Sequence, residues 1–239
     1  MDPQQSLSAA KAFLESHLAG RQKRTSQQVS QCFVTISRQA GAGGVSIAGK
    51  IVRNLNEGVD PAPPMKWTVF NQNLVGVVLQ QHGLTQDISK YMHEDDVNMI
   101  QDIMEETFGL HPSSATLVHK TGETILQLAK LGHCVIVGRG ANIVTHRLAS
   151  GVHIRLVAPL QSRVMRMRDV YQLDDKGIAR TLEEQDDGRR AYIKSHFGKN
   201  IDDPLLYDLI VNTNRITDEE TADLVTERVH RLEQADRAG

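Results

Sequence analysis

The segment Val34-Thr35-Ile36-Ser37-Arg38-Gln39-Ala40-Gly41-Ala42-Gly43-Gly44-Val45-Ser46 sets glycines and a hydroxyl directly after an apolar run. It reads as a buried strand, a glycine-rich turn and the first turn of a helix. Glycines without Cβ let successive backbone N–H groups converge on one anion, and the following helix adds the positive end of its macrodipole. The chemistry on offer is phosphate binding, by a cradle of Arg38, Gly41, Ala42, Gly43, Gly44, Val45 and Ser46. Laid over the pattern G-x-x-x-x-G-K-[ST], Arg38 takes the place of the first glycine, Gly43 that of the second and Gly44 that of the lysine; Ser46 supplies the hydroxyl one residue late. The window alone fits either a phosphate cradle or a tight strand-to-helix turn kept for packing.

Three further segments leave predicted strands with polar or basic residues. In Gly138-Arg139-Gly140-Ala141-Asn142 an arginine between two glycines follows the apolar run Cys134–Val137, and its guanidinium can fork onto a phosphate. In Ala158-Pro159-Leu160-Gln161-Ser162-Arg163-Val164-Met165-Arg166, Arg163 and Arg166 stand one helical turn apart and share a face. Such a pair suits a bound polyanion, or a solvated basic face answered by Asp169, Asp174 and Asp175. Asp186, Arg189 and Tyr192 recur at i, i+3 spacing and form one polar stripe on a helix. Set opposite Arg163 and Arg166, that stripe would close over a phosphoryl group as a water-excluding lid. The ten histidines show no zinc-ligand spacing, and no G-x-S-x-G elbow is present.

The elements that must position these residues follow from periodicity and breakers. Ile47, Ile51, Val52 and Leu55 mark a helix ending near Gly58, and Trp67–Phe70 is a short second strand. Helical patches follow around Leu74–Leu79 and Val97–Phe108, then a helix whose Leu117, Val118, Ile125, Leu128 and Ala129 face inward until Gly132. Cys134–Val137, Ile154–Val157 and Leu209–Val211 are continuous apolar runs, as strands covered on both faces require. Thr217 and Glu220 form a capping box ahead of a last helix facing inward through Ala222, Val225, Val229 and Leu232. Strands alternating with helices imply a parallel sheet flanked by helices, with ligands at the carboxyl ends of the strands. Residues 1–30 read as an amphipathic helix and linker. Docking on the domain, pairing with another subunit as a homodimer, or serving as a flexible arm are all open to it.

At 239 residues with 40% hydrophobic content the chain supports a full core without metals or crosslinks. A net charge of −2 and a pI near 6.5 give no basic excess for a nucleic acid polymer or a membrane surface. Cys32 and Cys134 head buried strands, so no structural disulfide is expected. With no apolar run long enough to span a bilayer and no signal-peptide order at the N-terminus, the expected location is cytoplasmic.

Taken in order, Val34-Thr35-Ile36-Ser37-Arg38 with Gly41-Ala42-Gly43-Gly44, then Val135–Asn142, Ala158-Pro159, Asp186-x-x-Arg189-x-x-Tyr192 and Tyr207-Asp208-Leu209-x-x-Asn212-Thr213 closely resemble the cytidylate kinase-like family of P-loop proteins. The resemblance runs from about residue 32 to 230. It implies a P-loop α/β fold, three layers α/β/α around a five-stranded parallel sheet, over residues 31–239. A helical acceptor-binding lobe would lie at about 67–116 and an arginine-bearing lid at about 160–200. It also implies ATP and Mg2+, with the glycines around the donor phosphates and Ser46 on the phosphate-bound magnesium. Arg139, with Asn142, Asn71 and Tyr192, falls on the side of a small-molecule acceptor; Arg163, Arg166 and Arg189 fall in the lid with Asp186. Arg38 and Lys50 are the candidate stand-ins for the missing lysine. Val137 and Gly140 stand where true cytidylate kinases carry aspartates, and Asn71 where many relatives have one, with Glu94, Asp95 and Asp96 as distant carboxylates. Two activities follow: phosphoryl transfer from ATP to a nucleotide or nucleoside-like acceptor, or a regulatory module that binds nucleotide through a degenerate loop.

Overall fold

The computed structural model describes residues 31–57, 66–71 and 112–238. Within these, five strands alternate with helices: β1 (Phe33–Arg38), α1 (Gly44–Asn56), β2 (Thr68–Phe70), α2 (Pro112–Leu131), β3 (Cys134–Val137), α3 (Ala141–Val144), β4 (Gly151–Val157), α4 (Leu160–Met167), α5 (Asp175–Phe197), a 3-10 turn (Pro204–Leu206), β5 (Leu209–Asn212) and α6 (Asp218–Ala238). The expected N-terminal helix, most of the acceptor lobe and the Glu94–Asp96 carboxylates lie outside the described residues.

The sheet has the order β2-β3-β1-β4-β5, and every neighbouring pair is parallel. All five carboxyl ends therefore lie along one edge, with β1 central between Ile36↔Val137 on one side and Arg38↔Leu156 on the other. Strand alternation sends Val34 and Ile36 of β1 to one face and Phe33 to the other. The first face, with Val135, Ile154 and Leu156, packs on Ile47 and Ile51 of α1 and Val225 and Val229 of α6. The second, with Cys134, Ile136 and Phe70, packs on Ile125 and Leu128 of α2, on α3, and on Ile193 and Phe197 of α5. Two apolar interfaces back to back make the three layers, and they explain why the central strands are buried on both sides.

Cys32 and Cys134 are buried free thiols, and desolvation pushes the Cys134 thiol well above its usual range. A smaller core of Ala40, Val164, Ile178 and Leu182 joins α4 and α5 to the loop after β1. Asp174 caps α5 by accepting the Gly177 N–H at 2.8 Å, and Gly198, left-handed at φ +62°, ends it. Thr217 and Glu220 form the expected reciprocal cap of α6. No helix among the described residues is long and apolar enough to cross a membrane.

Candidate phosphate-binding site

The turn from Gln39 to Gly43 is fixed from outside itself. The Gln39 N–H donates to Leu156 O at 2.9 Å, its side-chain Oε1 accepts the Ala158 N–H at 2.9 Å, and Thr213 donates its hydroxyl to Ala42 O at 3.2 Å. Gly41 and Gly43 adopt φ +75° and +88°, a region that L side chains rarely enter. With the turn so held, the N–H groups of Gly41, Gly43, Gly44, Val45 and Ser46 have no protein acceptor among the described residues. Gly43 caps α1 and has no side chain with which to satisfy them. Free convergent amides at a helix start form an anion nest.

Two amides of the turn are engaged: the Ala42 N–H donates to Gln39 O at 3.2 Å, and the Ala40 N–H donates to Asp186 Oδ1 at 2.7 Å. Asp186, on α5, is the hub of this edge. Its Oδ2 accepts from Arg163 Nη1 at 2.8 Å and its Oδ1 also accepts from Arg189 Nη1 at 3.0 Å. Arg163 in turn donates from Nη1 to Ala40 O and from Nε to Ala158 O, each at 3.0 Å. Arg163 and Asp186 are both buried. The sequence suggested that Arg163 is a lid cation aimed at phosphate; its Nε and Nη1 bond the protein and tie α4 to the loop, and the side chain also lines the adjoining cleft.

Four other cations stand differently. Arg166 donates to Asp218 Oδ1 at 2.9 Å and lies directly over Gly43, where a Cβ would sit 1.9 Å from Nη1. Arg189 is partly exposed and keeps donors to spare beyond Asp186 and Gln185. Arg139 is exposed in a left-handed conformation, φ +58°, with its guanidinium carbon 6.0 Å from the centre of the Tyr192 ring. Arg38 is half-buried with no hydrogen bond or ion pair among the described residues. Burial first, then the neighbouring Arg189 and Arg139 against the opposing Asp186, lower its guanidinium to about 10.

Several expected contributors are otherwise engaged. Asn142 is buried and donates to Leu206 O at 3.3 Å, holding the 3-10 turn. Tyr192 is half-buried beside Arg139, and burial raises its phenol. Asn71 follows the end of β2, half-buried. Lys50 pairs with Glu219 of α6. The acidic answer to the basic face falls on Arg168, which Asp175 holds by a two-point bond at 3.0 and 2.7 Å. The glycines flanking Arg139 do different things. Gly138 accommodates the Arg38 guanidinium, whereas a Cβ on Gly140 would lie 2.6 Å from Phe197 Cε2. Asp218 and the Gln39 side chain were missed in the sequence; only the capping box next to Asp218 signals its position at a helix start.

Beside the turn, Gly41, Arg163, Met165, Arg166, Thr213 and Asn214 are among the residues that line a cleft of about 250 Å³ at the carboxyl ends of β1, β4 and β5. Among the described residues no group of three His, Cys, Asp or Glu side chains could hold a metal. The Ser46 hydroxyl is exposed without a partner in the first turn of α1. These residues fit a magnesium carried by phosphate oxygens and one hydroxyl, and the free amides fit the phosphates themselves.

A sequence model described as the cytidylate kinase-like family matches residues 33–215. No curated protein matches the chain. Among solved structures, an uncharacterized protein from Eubacterium ventriosum ATCC 27560 superposes with a TM-score of 0.65 at 15% identity, over 84% of this chain and 99% of that one. Looser superpositions, each with a TM-score of 0.44, are given by shikimate kinases from Acinetobacter baumannii (11% identity, 84% of this chain, 94% of that one) and Bacteroides thetaiotaomicron (14%, 85% and 98%).

Proposed function

This chain belongs to the cytidylate kinase-like family, and on that premise we propose that it is an ATP-dependent phosphotransferase acting on a nucleotide or nucleoside-like acceptor. The observation that carries the reading is the glycine turn, whose amides from Gly41 to Ser46, Ala42 aside, have no acceptor among the described residues while Gln39, Ala40 and Ala42 hold the turn in place. Rigid, unspent donors are what binding a phosphate chain requires, since no reorganisation is left to oppose it.

The donor phosphates rest on these amides, and the adjoining cleft takes the donor base between Met165 and Asn214. The Ser46 hydroxyl, together with the phosphates, would hold a magnesium ion, which would supply charge neutralisation. Arg139, standing on the β3 side of the turn, holds an anionic group of the acceptor, with its guanidinium set by Tyr192. Arg166 and Arg189 sit over and beside the turn and close on the transferred group, while Arg163 and Asp186 keep the turn in shape beneath them. Phosphoryl transfer asks for positioning and charge neutralisation more than for covalent help, so arginines at these places suit it.

A second reading is favoured by Gly44, Val137 and Gly140, which stand where a lysine and two aspartates are usual: a regulatory module that binds nucleotide without efficient turnover. Incubation with radiolabelled ATP, magnesium and a panel of nucleosides and monophosphates separates the two. A labelled product supports the transferase. ATP-dependent thermal protection without product on any acceptor supports the module, and neither effect removes both.

A further inference from the structure

The residue at the lysine position is glycine, and the side chain that occupies the space is that of Arg38. A Cβ built on Gly44 would lie 3.0 Å from Arg38 Cγ, 3.3 Å from Cδ and 3.6 Å from its Cβ, so the arginine stem runs across the face of Gly44. At the other end, a Cβ on Gly138 would lie 2.5 Å from Arg38 Nη1 and 3.3 Å from Cζ. Two glycines remote in sequence thus form the walls of one slot, and a long cation lies in it.

The slot is not a resting place made comfortable by the protein. Arg139 and Arg189 flank the guanidinium, and the carboxylate that opposes them among the described residues, Asp186, already accepts from Ala40, Arg163 and Arg189. A half-buried guanidinium with cations around it and no hydrogen-bond acceptor is unfavourable until an anion supplies both charge and acceptors. The free amides of Gly43, Gly44 and Val45 start at the same place.

We propose that Arg38 is the phosphate-reaching cation of this site, delivered from the end of β1 in place of the lysine that α1 lacks. Its guanidinium forks onto two non-bridging oxygens of the triphosphate lying on the amides, where a lysine would offer a point charge. Arg38 and Gly44 are therefore one device, because a side chain at 44 would crowd the stem. This rests on the phosphotransferase reading above.

The test is calorimetric binding of magnesium–ATP and of inorganic tripolyphosphate to the full chain. Arg38→Met is expected to weaken both about tenfold to a hundredfold, the range for a lost charge-assisted hydrogen bond, with its melting curve retained. Lys50→Ala should bind as wild type does. Gly44→Lys alone should bind poorly, whereas Arg38→Gly combined with Gly44→Lys restores the first glycine and the lysine of the ordinary pattern and should recover affinity to within a few-fold of wild type. A folded Arg38→Met that binds both probes as tightly as wild type overturns the proposal. If Arg38→Met does not fold, the double variant decides, and failure to recover binding overturns it. Wild type that binds neither probe removes the phosphotransferase reading itself, a result seen without any variant.

Discussion

Asp186 Oδ1 accepts the backbone N–H of Ala40 at 2.7 Å, and this contact fastens the middle of α5 to the glycine turn. The same carboxylate receives Arg163 from α4, so one buried anion joins three segments at the carboxyl edge of the sheet. Asp186 takes up the Ala40 amide and leaves those of Gly41 and of Gly43 to Ser46 open.

Removing one partner of a buried ion pair leaves the other charged and desolvated. Asp186→Asn and Arg163→Ala are each expected to lower stability by about 3–5 kcal/mol, read by urea denaturation. Stability within 1 kcal/mol of wild type in both would mean that water satisfies the pair.

Arg189 shares the Asp186 carboxylate from a more exposed position. Its removal is expected to cost under about 1 kcal/mol of stability while lowering turnover by roughly a hundredfold or more. Steady-state rates with the acceptor found in the labelling screen check this, and equal rates would take Arg189 out of the transfer step.

The glycines around Arg139 predict opposite outcomes. Gly140→Ala drives a methyl against the Phe197 ring and should destabilise by about 1–3 kcal/mol. Gly138→Ala bears a similar left-handed backbone strain at φ +88° but meets only the far end of the Arg38 side chain, so what sets it apart should be weaker tripolyphosphate binding. Melting curves and calorimetry on the two variants give the comparison.

His153 lies in β4 with its Nδ1 2.8 Å from Thr35 Oγ1. Burial lowers its pKa below the usual 6.5, reinforced by His146 and opposed by Asp208. The unfolded chain therefore takes up the proton first as pH falls, so this contribution is intact above 6.5 and is lost below it. The melting temperature should fall between pH 6.5 and 5, and His153→Gln should flatten that slope.

The layered fold was legible because its determinants are local and redundant. Continuous apolar runs at Cys134–Val137 and Leu209–Val211, the breaker at Gly132, and the Thr217–Glu220 cap each specify an element from its own residues. The glycine turn was legible for the same reason, since φ above zero at Gly41 and Gly43 is a demand on residue type. Partnership was not. Arg163 and Arg166 stand one turn apart with the same charge, yet one is buried on Asp186 and the other covers Gly43. Which happens depends on the helix rotation that the Val164, Ile178 and Leu182 core imposes. The same holds for Lys50, drawn to Glu219 by the packing of α6 on α1, and for Arg38, whose slot exists only where β1 and the loop after β3 meet. Sequence alone set where backbone donors could turn toward an anion; the tertiary packing decided which cations remain unspent to meet it, because charge pairing is a property of distance in space and not of spacing along the chain.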